Sequence, residues 1–552
     1  MQPRRGFILV IVLIVIVLLT LSVLTFSKFM SAQRRAANTS LRQTQVRLIA
    51  ESGIEYLRVM LFNEQYTILE LGGLYDNPNE FCGHIVTDGT IGMTGAAAST
   101  QTTQGNVNPR DIGRFSVVAP ALSEEGLLSG EYIRYGLEDE SCKINLRWIL
   151  QLDIQQPGYG RMILMRLPGV DEIVADSILD WIDDSSDEPR EFGAKDEYYT
   201  LLDPPYYTRN GMIDSLDELL NVRGVTPKLF YGIDWNRNGI IDPGEPDINS
   251  LGEFGVYDGS LNLGLLSYLT LDSRESMYSP DGLPKINVNM EDMTQLRELL
   301  DQRAEDDTRW EPSWTDFIIS FRQQARQIAS NQSNAGTTEN TDGTIKSLLE
   351  FIGVAGSPFA DDPDAINEYG PVLYDNLTIS DVPIVGRINI NQVSRTVLEL
   401  WAAREDELTD TAALLAEESD TLLGTTLTQM NVWDIIDGIL AERISDPYVI
   451  NTESPEMNYT FWIYTHGIIT DLSVMKQFEP YFCTQGAVFK ATVVGRFDER
   501  SPTSRMEVWL DATEASPVVK GGKPARVIRV RDISELGPGY SAELLGADQF
   551  AR

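Results

Sequence analysis

The most demanding chemical pattern in the chain is the dodecapeptide Asp234-Trp235-Asn236-Arg237-Asn238-Gly239-Ile240-Ile241-Asp242-Pro243-Gly244-Glu245. Its first, third, fifth and ninth positions carry side-chain oxygens, its sixth is Gly, and its twelfth is a carboxylate. Hard divalent cations such as calcium take about six to eight oxygens, and a loop of this spacing wraps one. The Gly allows the sharp turn, the seventh residue offers its backbone carbonyl, and the last carboxylate binds through both oxygens. Asp234, Asn236, Asn238, Ile240, Asp242 and Glu245 are therefore the candidate calcium ligands. Pro243 and Gly244 argue against a regular exiting helix, so the expectation is a calcium loop without a full two-helix hand. The competing reading is an Asn/Gly turn with incidental acids. Asp183, Asp184 and Asp187 form a second acidic group, read as a solvated loop before a second ion site.

Other chemistries find little support. Only His84 and His466 are present, and neither lies beside a recognisable Ser or Cys nucleophile motif. Glu138 and Glu140 are paired acids of a kind that is abundant by composition alone. Cys82, Cys142 and Cys483 permit at most one internal disulfide and leave one over, and no pair has metal-knuckle spacing. With 82 acidic against 44 basic residues, the net charge of −38 makes nucleic-acid backbones poor partners and cations better ones. The expectation is a non-enzymatic protein.

The elements that must carry this loop begin with a membrane-length run. After Met1-Gln2-Pro3-Arg4-Arg5-Gly6, the residues from Phe7 to Phe26 contain no charge, enough to span a bilayer as a helix. No second run reaches that length, and the exit Ser27-Lys28-Phe29-Met30-Ser31-Ala32 is a poor secretory cleavage site. From Lys28 to about Phe62, Ala36, Leu41, Val46, Ile49, Gly53, Ile54, Leu57, Met60 and Leu61 recur at helical spacing. Anchor and stalk read as one helix of roughly 80 Å at about 1.5 Å per residue.

An irregular loop is expected over 71–108, then strands at 114–118 and 131–137. About three hundred residues of helix and loop follow before strand patterns return at 487–496, 505–510 and 526–530. That order implies a helical insertion within a sheet. Within it, Ile144-Asn145, Ile286-Asn287 and Ile388-Asn389 echo one another as short extended segments whose Asn caps the next turn or helix. The turn Leu167-Pro168-Gly169-Val170 and its relative at Leu219–Thr226 resemble DNA-binding helical hairpins. Asp171 stands at the position of their second Gly and acids follow, so hairpin packing is the favoured reading.

The short basic leader ending in Gly6, followed by Phe7 and a continuous helix, resembles prepilin-type precursors. That resemblance implies cleavage between Gly6 and Phe7 by a prepilin peptidase and methylation of the new terminus. Ala50–Glu55 is similar to the helix of large pseudopilins. Glu138–Glu140, Lys143–Leu146, the 167–170 turn, Asp180–Asp183, Arg190–Tyr199 and Ser215–Leu219, in this order, resemble the general secretion pathway protein K family, the large minor pseudopilins of type II secretion. The family lacks Glu at the fifth mature position, here Ile11, and binds calcium in its inserted domain.

The resulting expectation is an α+β chain: a pilin-like long helix and antiparallel sheet, with a large, mainly α-helical domain inserted between strands. The layout is a leader at 1–6, a membrane segment at 7–26, a periplasmic helix at 27–62 and a first β part at 63–143. An inserted helical domain at 144–450, completing strands at 451–535 and a tail at 536–552 follow. The resemblance implies a tip subunit that helps start a pseudopilus and meets substrate or channel. Its partners would be other minor pseudopilins, the major pseudopilin, the prepilin peptidase and the inner membrane, with a cytoplasmic amino terminus and a periplasmic body. A DNA-uptake or surface-binding component is the alternative.

Overall fold

The computed structural model describes residues 6–86, 112–122, 128–240, 242, 245, 264–333, 343–400, 421–422, 425–426, 432–497, 502–519 and 522–546. Helix α1, Gly6–Met60, is continuous. Its apolar stretch from Leu9 to Phe26 is exposed, unburied by any of the described residues, and it is the only described helix long and apolar enough to cross a membrane. Packing begins at Val46, where Ile49, Ala50, Ile54, Leu57 and Met60 turn one face inward at helical spacing. Residues 1–5 of the expected leader at 1–6 lie outside the described residues.

Short helices α2 (Gln65–Glu70) and α3 (Pro78–Phe81) lead to a sheet that α1 covers. Strands β1 (His84–Val86), β2 (Gly113–Leu122), β3 (Leu128–Arg134) and β4 (Glu138–Asp139) precede the insertion. The sheet is completed by β13 (Val488–Arg496), β14 (Ser504–Asp511) and β15 (Arg526–Asp532). The order β1-β2-β13-β14-β15 is antiparallel throughout, with β3 on β2 and β4 on β13. Thus β2 pairs directly with β13, more than three hundred residues later, and the helical part is an insertion. The described end of the expected 71–108 loop forms α3 and the edge strand β1; residues 87–108 lie outside the described chain.

Period-two alternation gives the sheet two faces. Phe115, Val117, Phe489, Ala491, Val493, Met506, Val508 and Leu510 meet α1 in one core. The close approach needs glycine on the helix: a Cβ at Gly53 would lie 2.7 Å from Val493. The opposite face carries Val118 and Val494, covered by Tyr540 and Leu545. The carboxy-terminal residues to 546 therefore lie across the sheet as a strap.

The insertion is built from three segments with a shared closure. Ile144-Asn145 (β5) pairs in parallel with Leu269-Thr270 (β6), and Ile286-Asn287 (β7) with Leu377-Thr378 (β8). Ile388-Asn389 (β9) pairs with Phe482-Cys483 (β12); a small hairpin of Thr421-Leu422 (β10) and Thr425-Thr426 (β11) lies between them in sequence. In each echo the Asn side chain accepts the N–H two residues on, from Arg147, Asn289 and Asn391. One continuous apolar core runs through all three segments, from Ile144 to Phe482. Helices continue to Phe478, beyond the boundary expected at 450, before the sheet resumes.

Candidate metal loop

The first inserted segment holds α4 (Leu146–Gln155), α5 (Tyr159–Leu164), α6 (Glu172–Ile182), α7 (Asp196–Tyr199) and α8 (Pro227–Tyr231). Thr226 caps α8 through the N–H of Leu229, and Pro227 suits its first turn. Gly232 ends it, which delivers the chain to Asp234 with Leu229, Phe230 and Ile233 buried beneath.

The buried carboxylate of Asp234 organises the turn. Its Oδ1 accepts the N–H of Asn238 at 3.0 Å and its Oδ2 that of Gly239 at 2.7 Å. Arg237 and Gly239 take positive φ, 55° and 72°, and a Cβ on Gly239 would sit 3.2 Å from Pro120 on β2. Asn236 Nδ2 and Asn238 Nδ2 each donate to Asp242 Oδ2 at 2.7 Å. The third, fifth and ninth positions thus converge on one point. Ile240 donates its N–H to Asn238 Oδ1 at 2.8 Å, and Asp242 its N–H to Glu245 Oε2 at 3.0 Å. Pro243 and Gly244 are outside the described residues.

Two side-chain oxygens of the loop are buried without a hydrogen-bond partner: Asn236 Oδ1 and Glu245 Oε1. Burial pushes the Asp234 and Glu245 carboxyls up, and for Glu245 the charges of Asp234 and Asp242 push the same way. An orphaned carboxylate oxygen beside two more acids is the environment a cation relieves. Among the described residues no three acidic, imidazole or thiol groups meet closely enough to cage an ion as they stand. The donor set fits calcium: two Asp, one Glu, two amide oxygens and one carbonyl. Asp234, Asn236, Asn238, Ile240, Asp242 and Glu245 would hold it.

The loop also touches residues that its own sequence gives no hint of. Asn238 Nδ2 donates to the carbonyl of Gly539 at 2.6 Å, and Arg505 donates to the carbonyl of Arg237 at 2.8 Å. Arg237 lies 3.6 Å from Glu507 and stacks over Tyr231. The contacts to Arg505, Glu507 and Gly539 join residues some three hundred positions apart, and no local pattern announces them.

The second acidic group has a different role. Arg190 pairs with Asp153, Asp180 and Asp183 at 2.9, 2.8 and 3.0 Å, and Arg161 grips Asp176 with two bonds of 2.7 and 2.6 Å. Guanidinium groups occupy the centre of this cluster. Asp184 and Asp187 are exposed. After the hairpin turn, Asp171 caps α6 by accepting the N–H of Val174 at 2.8 Å, so a protein carboxylate already takes an N–H at the start of that helix. Gly6 and Phe7 form the first residues of α1.

Comparison with known proteins gives two findings. Residues 143–233 match the family described as Type II secretion system (T2SS), protein K. A 57-residue stretch is 44% identical to a protein of Aeromonas hydrophila named Type II secretion system protein K, covering 10% of this chain and 17% of that relative.

Proposed function

We propose that this chain, which belongs through residues 143–233 to the type II secretion system protein K family, is a minor pseudopilin that sits at the tip of a pseudopilus and helps start its assembly. The observation that carries the reading is α1. Its first half is apolar and bare, while its second half packs on an antiparallel sheet whose strands are separated by a bulky helical insertion. A bare apolar half-helix suits both a bilayer and, after extraction, the helices of other subunits. An insertion larger than the sheet domain suits an end position, where no further subunit stacks above it.

On this reading the protein is anchored in the inner membrane with its body in the periplasm. Its partners are the other minor pseudopilins and the major pseudopilin, and it works by assembly without catalysis. Cleavage between Gly6 and Phe7 by a prepilin peptidase, with methylation of Phe7, frees the helix for the filament. Calcium held by Asp234, Asn236, Asn238, Ile240, Asp242 and Glu245 would supply the positive charge that the loop acids lack. The negative charge of Asp171 at the start of α6 and the net charge of −38 count against a DNA-uptake role.

The test is intact mass and amino-terminal sequencing of membrane-extracted protein, with and without a prepilin peptidase. A methylated terminus at Phe7 that depends on the peptidase is the expected result. An intact leader in the presence of active peptidase would overturn the reading.

A further inference from the structure

The contacts of the dodecapeptide loop run in two directions, and one side chain serves both. Asn238 points into the loop, where its Oδ1 accepts from Ile240 and its Nδ2 donates to Asp242. The same Nδ2 also donates outward to the carbonyl of Gly539, at the start of the strap. Arg505, fully buried on β14, ties the two together. It donates to the carbonyl of Arg237 in the loop and to that of Gly537 in the strap at 3.3 Å, and it lies over the Tyr540 ring. Farther along, Arg496 donates to the carbonyl of Leu545 at 2.6 Å, and the Tyr135 hydroxyl donates to that of Leu544. Between these ties Tyr540 and Leu545 cover Val118 and Val494.

We infer that the loop is a cation-operated latch: an ion bound among its oxygens fastens the first inserted segment to the strap across the far face of the sheet. This rests on the reading of the loop as a calcium site. Without the ion, one N–H of Asn238 Nδ2 is held by the Asp242 carboxylate and the other by the carbonyl of Gly539. A cation takes the Asp242 carboxylate and the Asn238 oxygen as ligands. That leaves the amide nitrogen to Gly539 alone and, by drawing electrons from the amide oxygen, makes it a stronger donor. The positive-φ residues Arg237 and Gly239 are set by the same Asp234 carboxylate, so fixing the acid also fixes the carbonyl that Arg505 grips. Coupling between the ion and the strap is then reciprocal.

The test is hydrogen exchange of the full-length detergent-solubilised protein in calcium and in chelator, with calcium binding followed by titration calorimetry. Calcium is expected to slow exchange over 537–546 by about tenfold, with little change in the second and third inserted segments. Glu245→Gln should remove that difference. Arg505→Met should retain calcium binding but leave the strap fast in both conditions; if it does not fold, wild type and Glu245→Gln decide the matter. Saturable calcium binding with no change in the strap would overturn the latch and leave the site standing. Uniform slowing across the whole chain would also overturn the latch. An absence of calcium binding would overturn both site and latch.

Discussion

Asp180 and Arg190 are joined twice over: the guanidinium of Arg190 donates to the buried Asp180 carboxylate at 2.8 Å, and the Arg190 backbone N–H donates to it at 3.1 Å. With Asp153 and Asp183 on the same guanidinium, one cation holds three acids inside the first inserted segment. Arg190→Met should therefore destabilise that segment by about 3–5 kcal/mol, because the acids stay buried without their counterion. Denaturant unfolding should show the loss. Arg190→Lys should recover little of it, since an ammonium cannot match the forked geometry.

Acid should weaken the junction between β4 and β13. Burial alone would raise the Glu138 carboxyl, but Lys490 and Lys143 bring it down to about 2. A carboxyl depressed on folding contributes stability that is complete above its ordinary value near 4.5, and it loses this as pH falls toward 2. Glu138→Gln should remove about 3 kcal/mol at neutral pH and flatten the stability profile between pH 4.5 and 2. Urea midpoints measured across that range give the slope for each protein.

Gly53 allows α1 to lie directly on β13 and β2, where a Cβ would come within 2.9 Å of Phe115 as well as Val493. Gly53→Leu should push the helix off the sheet at a cost of about 1–3 kcal/mol or more. Thermal unfolding of the full chain should show a lower midpoint, with the apolar half of α1 unaffected.

Glu245→Ala should lower the thermal midpoint in calcium and barely change it in chelator. A ligand that binds only the folded form stabilises it by about 2.7 kcal/mol at a hundred times its dissociation constant, and the variant forfeits that increment. An equal loss in both conditions would show that Glu245 acts through packing alone.

Much of this architecture was legible in the residues. The charge-free run from Phe7 to Phe26 gave the helix, and alternation gave β2, β13, β14 and β15. The Ile-Asn echoes gave the starts of the inserted segments. Their closing partners Leu269-Thr270, Leu377-Thr378 and Phe482-Cys483 were not legible, because two residues are too short to carry a period. Short helices such as Leu472–Phe478 beyond residue 450 were hidden because about two turns leave too few residues to show a helical period. The loop's own oxygens could be picked out by type and spacing. Its ties to Gly539 and Arg505 could not, since one is a backbone carbonyl and both come from distant chain. The burial of Asp183 was also missed, because its partner Arg190 is placed by folding and not by any spacing rule.

The parallel closures have a consequence for how the insertion can be edited. Each Ile-Asn pair opens a bracket, and each bracket shuts before the next one opens, so none is nested in another. A bracket's ends already meet, and lengthening a closed loop costs only a slowly growing entropy, about 0.6 kcal/mol per doubling. Length can therefore be gained or lost inside any one bracket without shifting the register of the other two or of the sheet that frames them. The protein's bulk is in this sense adjustable cargo, carried in three separately clasped parcels on a fixed frame.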